Sequence, residues 1–554
     1  MKRTTKRILA MMLVAICCLT GCSTPGYEEG KTLTYNEAVE ELSSKLTKVN
    51  TSTVDAPLDI YDTSTEVKAL ASIDTFPLTT KGSGQIDVEI AGATELTADA
   101  PDDLLNVWAK NFNSQKVQIN GKTVSVTVRK ITSGEVVTYM TEGDYRPDVY
   151  IPSSYAWGEM LRSKGLGIVK ISDRIAGNTA GILMEKKTYE TFTEKYKSVT
   201  VDKVLEASLA GDLTFAYTNP YTSSTGLNIL ASMLYSFDSE NPLSDTASQK
   251  LLDYQKQSPP VAYTTAVLRE QAAKGIIKAM VMEEQAYHNT PELKDYVYTP
   301  AGIRHDHPVY TFDYVSDEKQ EAAKLFVEYC LSDEAQKIAD EKGFNLHDDY
   351  KEQSAGLDGA GYLAAQKIWK ANKDGGKPII AVFVADISGS MDGEPLNALK
   401  ESLISTASYI SSDNYIGLVS YSDDVYINLE LEQFDETQRA YFSGAVKALT
   451  ANGGTATYDA VLVALDMLSK KAEEVPDAKL MLFVLSDGEQ NRGYSLGRIT
   501  DIVGGMKVPV YTIGYNLSDS EELRRLSEVN EAALINAQTD DIVNQLRNLF
   551  NVQL

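Results

Sequence analysis

The chain of 554 residues is poor in cysteine, histidine and tryptophan and short of basic charge. Its four cysteines are Cys17, Cys18, Cys22 and Cys330, so three lie within the first 22 residues. The body of the chain keeps only Cys330, and no intramolecular disulfide framework can form there. Cys330 sits in the amphipathic run Phe326-Val327-Glu328-Tyr329-Cys330-Leu331, which predicts a buried, inert thiol. Four histidines leave little room for imidazole catalysis or zinc chemistry. Lys and Arg number 52 against 78 Asp and Glu, a net charge of −26. Such a chain repels phosphate backbones and disfavours docking on anionic lipid through a basic patch, so nucleic acid is not an expected partner. No apolar run reaches the roughly 18 residues that a membrane-spanning helix needs. A hydrophobic share of 43% and a charged share of 23% are those of a globular protein, and the length implies several domains.

What is present at the N-terminus reads as an address. Lys2, Arg3, Lys6 and Arg7 precede Ile8–Leu19, an unbroken apolar run of twelve residues. Its length and flanks are those of a signal-peptide core, too short to span a bilayer comfortably. The run ends in Leu19-Thr20-Gly21-Cys22, which resembles a bacterial lipobox. The resemblance implies cleavage after residue 21, diacylation of Cys22 and anchoring of an extracytoplasmic lipoprotein in the cell membrane. Residues 22–80 then read as a tether with one amphipathic helix over Thr34–Val49, where Ala38, Leu42 and Leu46 recur at spacing four.

From Ile86 strands and helices alternate, with Leu213–Ala216 among the expected strands and Lys319–Ala339 as one long amphipathic helix, which predicts an α/β architecture with mostly parallel sheets. One domain is expected over 81–345, a linker over 346–376, where the glycine-rich run Ser354–Gly361 reads as loose, and a second domain over 377–554. In the second, Ile379–Ala385 and Leu480–Leu485 are apolar on both faces, as in the buried strands of a doubly wound, Rossmann-like sheet. Asp540–Phe550 is expected to close it as a helix.

Three motifs of that second domain fall where strands or loops meet helix starts. They are Asp386-Ile387-Ser388-Gly389-Ser390, Gly453-Gly454-Thr455 and Ser486-Asp487-Gly488. In an open α/β sheet such ends converge on one crevice. In this order the motifs resemble those of a von Willebrand factor A domain, whose metal-ion-dependent adhesion site they form. The resemblance implies a metal site of Asp386, Ser388, Ser390, Thr455 and Asp487, with Asp392 and Glu394 around it. Two carboxylates and three hydroxyls are hard oxygen donors, suited to magnesium, manganese or calcium and not to zinc or copper. In this family a partner protein's carboxylate can fill an open position on the metal.

The first domain resembles a bacterial extracellular solute-binding protein of the ABC-importer type, with two α/β lobes. The resemblance rests on Ile90–Leu96, Asp148–Ser154, Asn219–Leu227 and Ala279–Gln285. Hydroxyls and N–H groups at a helix start suit an anion or carboxylate. The candidate ligand residues are Thr94, Ser153 and Ser154, the run Thr222, Ser223, Ser224 and Thr225, and Glu283, which could orient an amine or hydroxyl. Helix capping and turn formation are the competing roles for each hydroxyl. His305-Asp306-His307 offers two imidazoles that would point the same way on a strand, with no evident third ligand.

Three functions compete. The first is a surface-tethered binding protein that grips a protein partner through its metal and captures a small ligand. The second is an importer receptor with a regulatory von Willebrand factor A domain. The third is a metal-dependent hydrolase, disfavoured because no activated Ser, Cys or His set is evident. The first is the expected one, and no enzyme is expected. The charge has a local side too: from Lys377 onward 13 Lys and Arg face 26 Asp and Glu, a net −13. Acidity is denser in the domain with the cation motifs, which favours loading of a divalent ion.

Overall fold

The computed structural model describes residues 33–59, 70, 72–143, 145–262, 265–353, 356–407, 410–488, 490–515, 521–530 and 534–537. The lipobox cysteine Cys22 and the expected Asp540–Phe550 helix lie outside them.

The C-terminal body is built on a sheet whose central strand is Ile379–Asp386, buried along its whole length. Its residues alternate between two cores, as the two-residue repeat of a strand requires. Ile380, Val382 and Val384 face the Thr457–Glu474 helix through Leu462 and Leu465. Ile379, Ala381, Phe383 and Ala385 face Leu399 and Leu403 of Glu394–Thr406 and Phe442 and Val446 of Glu436–Ala448. Helices therefore cover both faces, and the sheet is doubly wound. Among the described residues, the strand order is Thr51–Thr53, Val425–Gln433, Tyr415–Tyr421, Ile379–Asp386, Lys479–Ser486, Val510–Tyr515 and Leu534–Ala537. All neighbours run parallel except Tyr415–Tyr421 and Val425–Gln433, a hairpin closed by the Ser422–Asp424 turn.

The first strand in that order corrects the expected tether. Thr51–Thr53 pairs in register with Val425–Ile427 at the sheet edge. The Tyr35–Leu46 helix before it, fixed by a capping box between Thr34 and Glu37, buries Ala38 and Leu42 in the core under the central strand. It lies so close to the Thr500–Met506 helix that a Cβ on Gly505 would meet the Cβ of Ala38 at 2.8 Å. Residues 33–59 are thus part of the C-terminal body, and the other body is inserted into it.

The inserted body has two lobes. The first lobe's sheet runs Leu78–Thr80, Lys122–Lys130, Ile86–Gly92, Val149–Ile151, Val309–Phe312 and Ile168–Ser172. Leu78–Thr80 too belongs to a sheet and not to a tether. The second lobe holds Ala279–Glu283, Thr179–Glu185 and Tyr296–Arg304, and the short pair Tyr217–Thr218 and Val261–Ala262. The expected strand at Leu213–Ala216 is reduced to a single bridge, Ala216 to Met280. The chain crosses between lobes twice, and the crossovers meet where His305 N donates to the Asn178 carbonyl at 3.0 Å.

Two further expectations change. The expected linker 346–376 contains the Gly359–Asn372 helix. Tyr362 packs in the first lobe's core, while Ala365 and Trp369 pack in the second's. Trp369 Nε1 donates to Tyr217 Oη at 2.8 Å, so this segment is a strap across both lobes. The single long helix read through 319–339 is two, Asp317–Cys330 and Asp333–Glu341. Ser332 caps the second by accepting from Ala335 N, which ends the first. Cys330 is free and buried, and burial pushes its thiol well above the usual range.

Candidate metal centre and interlobe cleft

Three loops meet at the C-terminal edge of the doubly wound sheet. Asp386 ends the central strand and is fully buried. Its Oδ1 accepts from Ser388 N at 2.8 Å, which turns the chain back over the carboxylate. Its Oδ2 accepts from Ser486 Oγ at 2.6 Å and Tyr421 Oη at 3.2 Å. The Ser388 and Ser390 hydroxyls lie 3.0 Å apart, and Ser390 Oγ donates to Asp487 Oδ1 at 2.9 Å. The Thr455 loop is docked by Gly389 N, which donates to the Gly453 carbonyl at 3.0 Å. Gly453 has φ of +73°, and a Cβ there would meet Asp423 Oδ2 at 2.6 Å, so this turn requires glycine.

The five expected residues therefore come to one place. Asp386, Ser388 and Thr455 form a buried floor, Asp487 is half-buried, and Ser390 stands exposed at the lip. Asp392 and Glu394 are exposed on the turn that follows. Burial lifts the Asp386 carboxyl above the usual carboxylate range and the charge of Asp487 adds to this, while Ser486 and Ser388 oppose it. Burial lifts Asp487 too, against the Ser390 hydrogen bond. Two raised carboxylates among hydroxyl oxygens are a cation-seeking set, and the donors fit a hard divalent ion.

Sequence reasoning missed the groups that hold these donors. Asn491 Oδ1 accepts from Thr455 N at 3.0 Å, and its Nδ2 donates to Thr455 Oγ1 at 3.4 Å. Ser486 and Tyr421 fix Asp386. Ser486 lies in the Ser486-Asp487-Gly488 motif, but only the fold shows that it meets Asp386 Oδ2.

In the inserted body the candidate residues divide. Ser223 caps the Ser224–Phe237 helix through Gly226 N, and Ser154 caps Tyr155–Ser163 through Ala156 N. Capping thus accounts for two of them, although Ser154 also reaches Asn228 Oδ1 across the lobes at 3.3 Å. Ser224 accepts from Trp157 Nε1 at 2.8 Å, again across the lobes. Thr225 donates to Glu283 Oε1 in a short contact. Thr222 is buried, and its carbonyl accepts from Gly134 N at 3.3 Å. Ser153 N donates to Ser133 Oγ at 3.3 Å, and the Ser153 hydroxyl bonds Glu95. Thr94 is half-buried at the start of a one-turn helix, and it is its neighbour Glu95 that reaches the cleft.

Glu95 Oε1 lies 3.2 Å from His307 Nε2, with the His307 Nδ1 3.0 Å from the Ala176 carbonyl. Burial opposes ionisation of Glu95, but the His307 and Ser153 contacts outweigh it and hold its carboxyl below the usual range. Glu283 is the opposite case: burial and the charge of Glu95 push it up, against the Thr225 bond. His305 and His307 are on the loop between Tyr296–Arg304 and Val309–Phe312, not on a strand. Among the described residues no group of three or more His, Cys, Asp or Glu is placed to share a metal.

Comparison with known proteins matches both bodies. The family model "Bacterial extracellular solute-binding protein" matches residues 94–345, and "von Willebrand factor type A domain" matches 381–551. The chain is 30% identical over 154 residues to inter-alpha-trypsin inhibitor heavy chain H3 of Bos taurus, covering 25% of this chain and 17% of that protein. It is 27% identical over 165 residues to heavy chain H1 of Sus scrofa, covering 28% of this chain and 18% of that one. The chain thus spans under a fifth of the length of these relatives. Among solved structures it is similar to a periplasmic thiamin binding protein, with 15% identity, TM-score 0.38, and coverage of 54% of this chain and 99% of that one. It is similar also to a von Willebrand factor type A protein of Catenulispora acidiphila, with 20% identity, TM-score 0.29, and coverage of 32% and 42%. The chain therefore joins a domain of the bacterial extracellular solute-binding-protein family to a von Willebrand factor type A domain.

Proposed function

We propose that the protein is an extracytoplasmic binding lipoprotein, held at the membrane by acylated Cys22, whose von Willebrand factor A domain binds a protein partner through a divalent cation. Asp386, Ser388, Ser390, Thr455 and Asp487 would hold magnesium, with manganese or calcium as substitutes. The observation that supports this most is the meeting of two cation-seeking carboxylates with three hydroxyl oxygens at one sheet edge, floor buried and lip open. The cation supplies a Lewis-acidic position for an outside carboxylate. The protein's own groups do the rest: Ser486, Tyr421 and Asn491 fix the donors, and the buried floor strengthens their pull. Two carboxylates would roughly neutralise a divalent ion, so a carboxylate from the partner would gain from an open coordination position in a partly desolvated cleft and not from net charge.

The solute-binding domain captures a small molecule between its lobes in this reading. That leaves the importer-receptor role as a second reading, favoured by the many contacts that close one lobe on the other, such as Trp157 with Ser224. Both readings describe a binding protein and not an enzyme.

Capture from cell-envelope extract tests the first reading. The immobilised protein in magnesium should retain a partner that is released by chelator and that Ser390→Ala retains poorly. A partner held equally well in chelator would contradict it.

A further inference from the structure

The interlobe cleft holds a concentration of polar atoms that are buried and have no hydrogen-bond partner. Glu283 Oε2, Gln285 Oε1 and both ring nitrogens of His305 are among them. So are the Nδ2 atoms of Asn178, Asn219 and Asn228 and the hydroxyl of Thr222. Every one of these residues is at least nine-tenths buried. A buried polar group without a partner is costly, and so many in one place are not a packing accident.

They are contiguous. Thr222 and Asn228 flank Thr225 on the segment that begins the Ser224–Phe237 helix, and Thr225 holds Glu283 Oε1. Asn178 Oδ1 accepts from Gln285 N at 3.3 Å, and the Asn178 carbonyl accepts from His305 N. A Cβ on Gly226 would strike the backbone of Asn219.

The amide orientations are fixed by their other ends. Asn178 Oδ1 also accepts from Thr179 N at 2.9 Å, and Asn219 Oδ1 accepts from Tyr221 N at 2.9 Å, so their Nδ2 groups must be the free donors. Gln285 Nε2 donates to Asp102 Oδ1 at 2.5 Å, so its Oε1 must be the free acceptor. The set thus presents two kinds of end. One is acceptor and anionic, Glu283 Oε2 and Gln285 Oε1. The other is donor, the asparagine amides and Thr222 beside a helix N-terminus of 14 residues.

The nearby charges are already committed. Arg269 pairs with Asp102 at 3.1 Å, and Glu95 pairs with His307. Arg269 is near enough to act on Glu283 by charge, but its guanidinium is paired with Asp102, and among the described residues no cation is paired directly with Glu283. An inorganic oxyanion would meet this carboxylate at close range and be repelled. A neutral sugar would hydrogen-bond it but leave its charge buried and uncompensated. From these atoms we infer that the cleft takes a small zwitterion with a primary ammonium and a carboxylate, an α-amino acid in type. The ammonium meets Glu283 and Gln285, and the carboxylate meets the asparagine amides and the helix start. The burial that raises the Glu283 pKa is offset once an ammonium sits beside it. This rests on the reading of the cleft as a solute site.

Calorimetric titration of the full chain tests both together. The probes are the twenty common L-amino acids, glycine betaine, acetate, ethylamine, sulfate and glucose. At least one amino acid should bind, with acetate, ethylamine and betaine at least about tenfold weaker, since each lacks one end or its N–H donors. Glu283→Gln should weaken that binding about 10- to 100-fold, and Thr222→Val should weaken it too, each with a melting temperature in the absence of ligand no lower than that of the wild type, since each removes a buried group that lacks a partner. Tighter binding of sulfate or glucose, or amino-acid binding indifferent to Glu283→Gln, overturns the ligand class and leaves the solute site standing. Binding of no probe overturns the solute-site reading and the ligand class with it.

Discussion

Asp386 and Glu283 are both carboxylates buried at the end of a strand, and their neighbours give them different chemistry. Asp386 is gripped on both oxygens and faces a second carboxylate across two serines, as cation ligands do. Glu283 keeps one oxygen free in a cleft lined by amides. The first arrangement was legible in the sequence because four of its five donors lie in two short motifs at strand ends. The second was only partly legible. Glu283 and Thr225 were visible as candidates, and Asn219 and His305 lay in runs that stood out for other reasons, but Asn178 enters on a crossover that carries no local signature. The Glu95–His307 pair joins residues 212 apart. His305 gives a prediction at this scale. Burial pushes its pKa down to about 4, from an ordinary 6.5. Below 6.5 the unfolded chain takes up a proton that the folded protein refuses until about pH 4. Its contribution is therefore full above pH 6.5 and lost as pH falls toward 4, about 2 kcal/mol of it between pH 7 and pH 5. Urea denaturation at the two pH values should show a smaller acid loss in His305→Gln than in the wild type. Equal losses in the two proteins would contradict the placement.

The elements were easier to find than their partners. The helix at the N-terminus was expected from the spacing of Ala38, Leu42 and Leu46, and the structure gives Tyr35–Leu46. Its destination was not readable, because amphipathicity shows that a face is buried and not against what. The same holds for Gly359–Asn372, where Gly356 and Gly359 made the stretch look loose. A Cβ on Gly359 would meet the Glu159 carbonyl at 1.9 Å, so that glycine marks close helix contact and not a flexible link. Central strands such as Ile379–Asp386 were read nearly to the residue, since an apolar run bounded by Pro378 and a polar motif leaves little choice. Leu42 tests the corrected assignment. It is fully buried in the core of the C-terminal body, so Leu42→Ala should destabilise that body by about 2–5 kcal/mol. Calorimetry should show the loss in the unfolding transition that magnesium shifts. A helix that merely tethers would leave that transition unchanged.

At the scale of the whole molecule, one body interrupts the other. The von Willebrand factor A sheet takes its edge strand from Thr51–Thr53 and its centre from Ile379–Asp386, with the solute-binding lobes and their strap between. The solute-binding body is thereby attached at both ends and not strung on a single linker. The order of motifs along the chain showed two domains but could not show this nesting, because a three-residue edge strand carries almost no pattern. The residues from Lys377 onward carry a net −13, so the body that gains its N-terminal piece is also the one expected to draw in a cation.

The central claim is that Asp386 and its companions hold a divalent ion, and thermal unfolding in magnesium against chelator tests it most directly. At a concentration about 100-fold above Kd, linkage should add about 2.7 kcal/mol to the C-terminal body and raise its melting temperature. The rise should vanish in Asp386→Ala and shrink in Ser390→Ala, whose exposed lip position leaves the fold intact. A magnesium shift of equal size in the wild type and in Asp386→Ala would contradict the account.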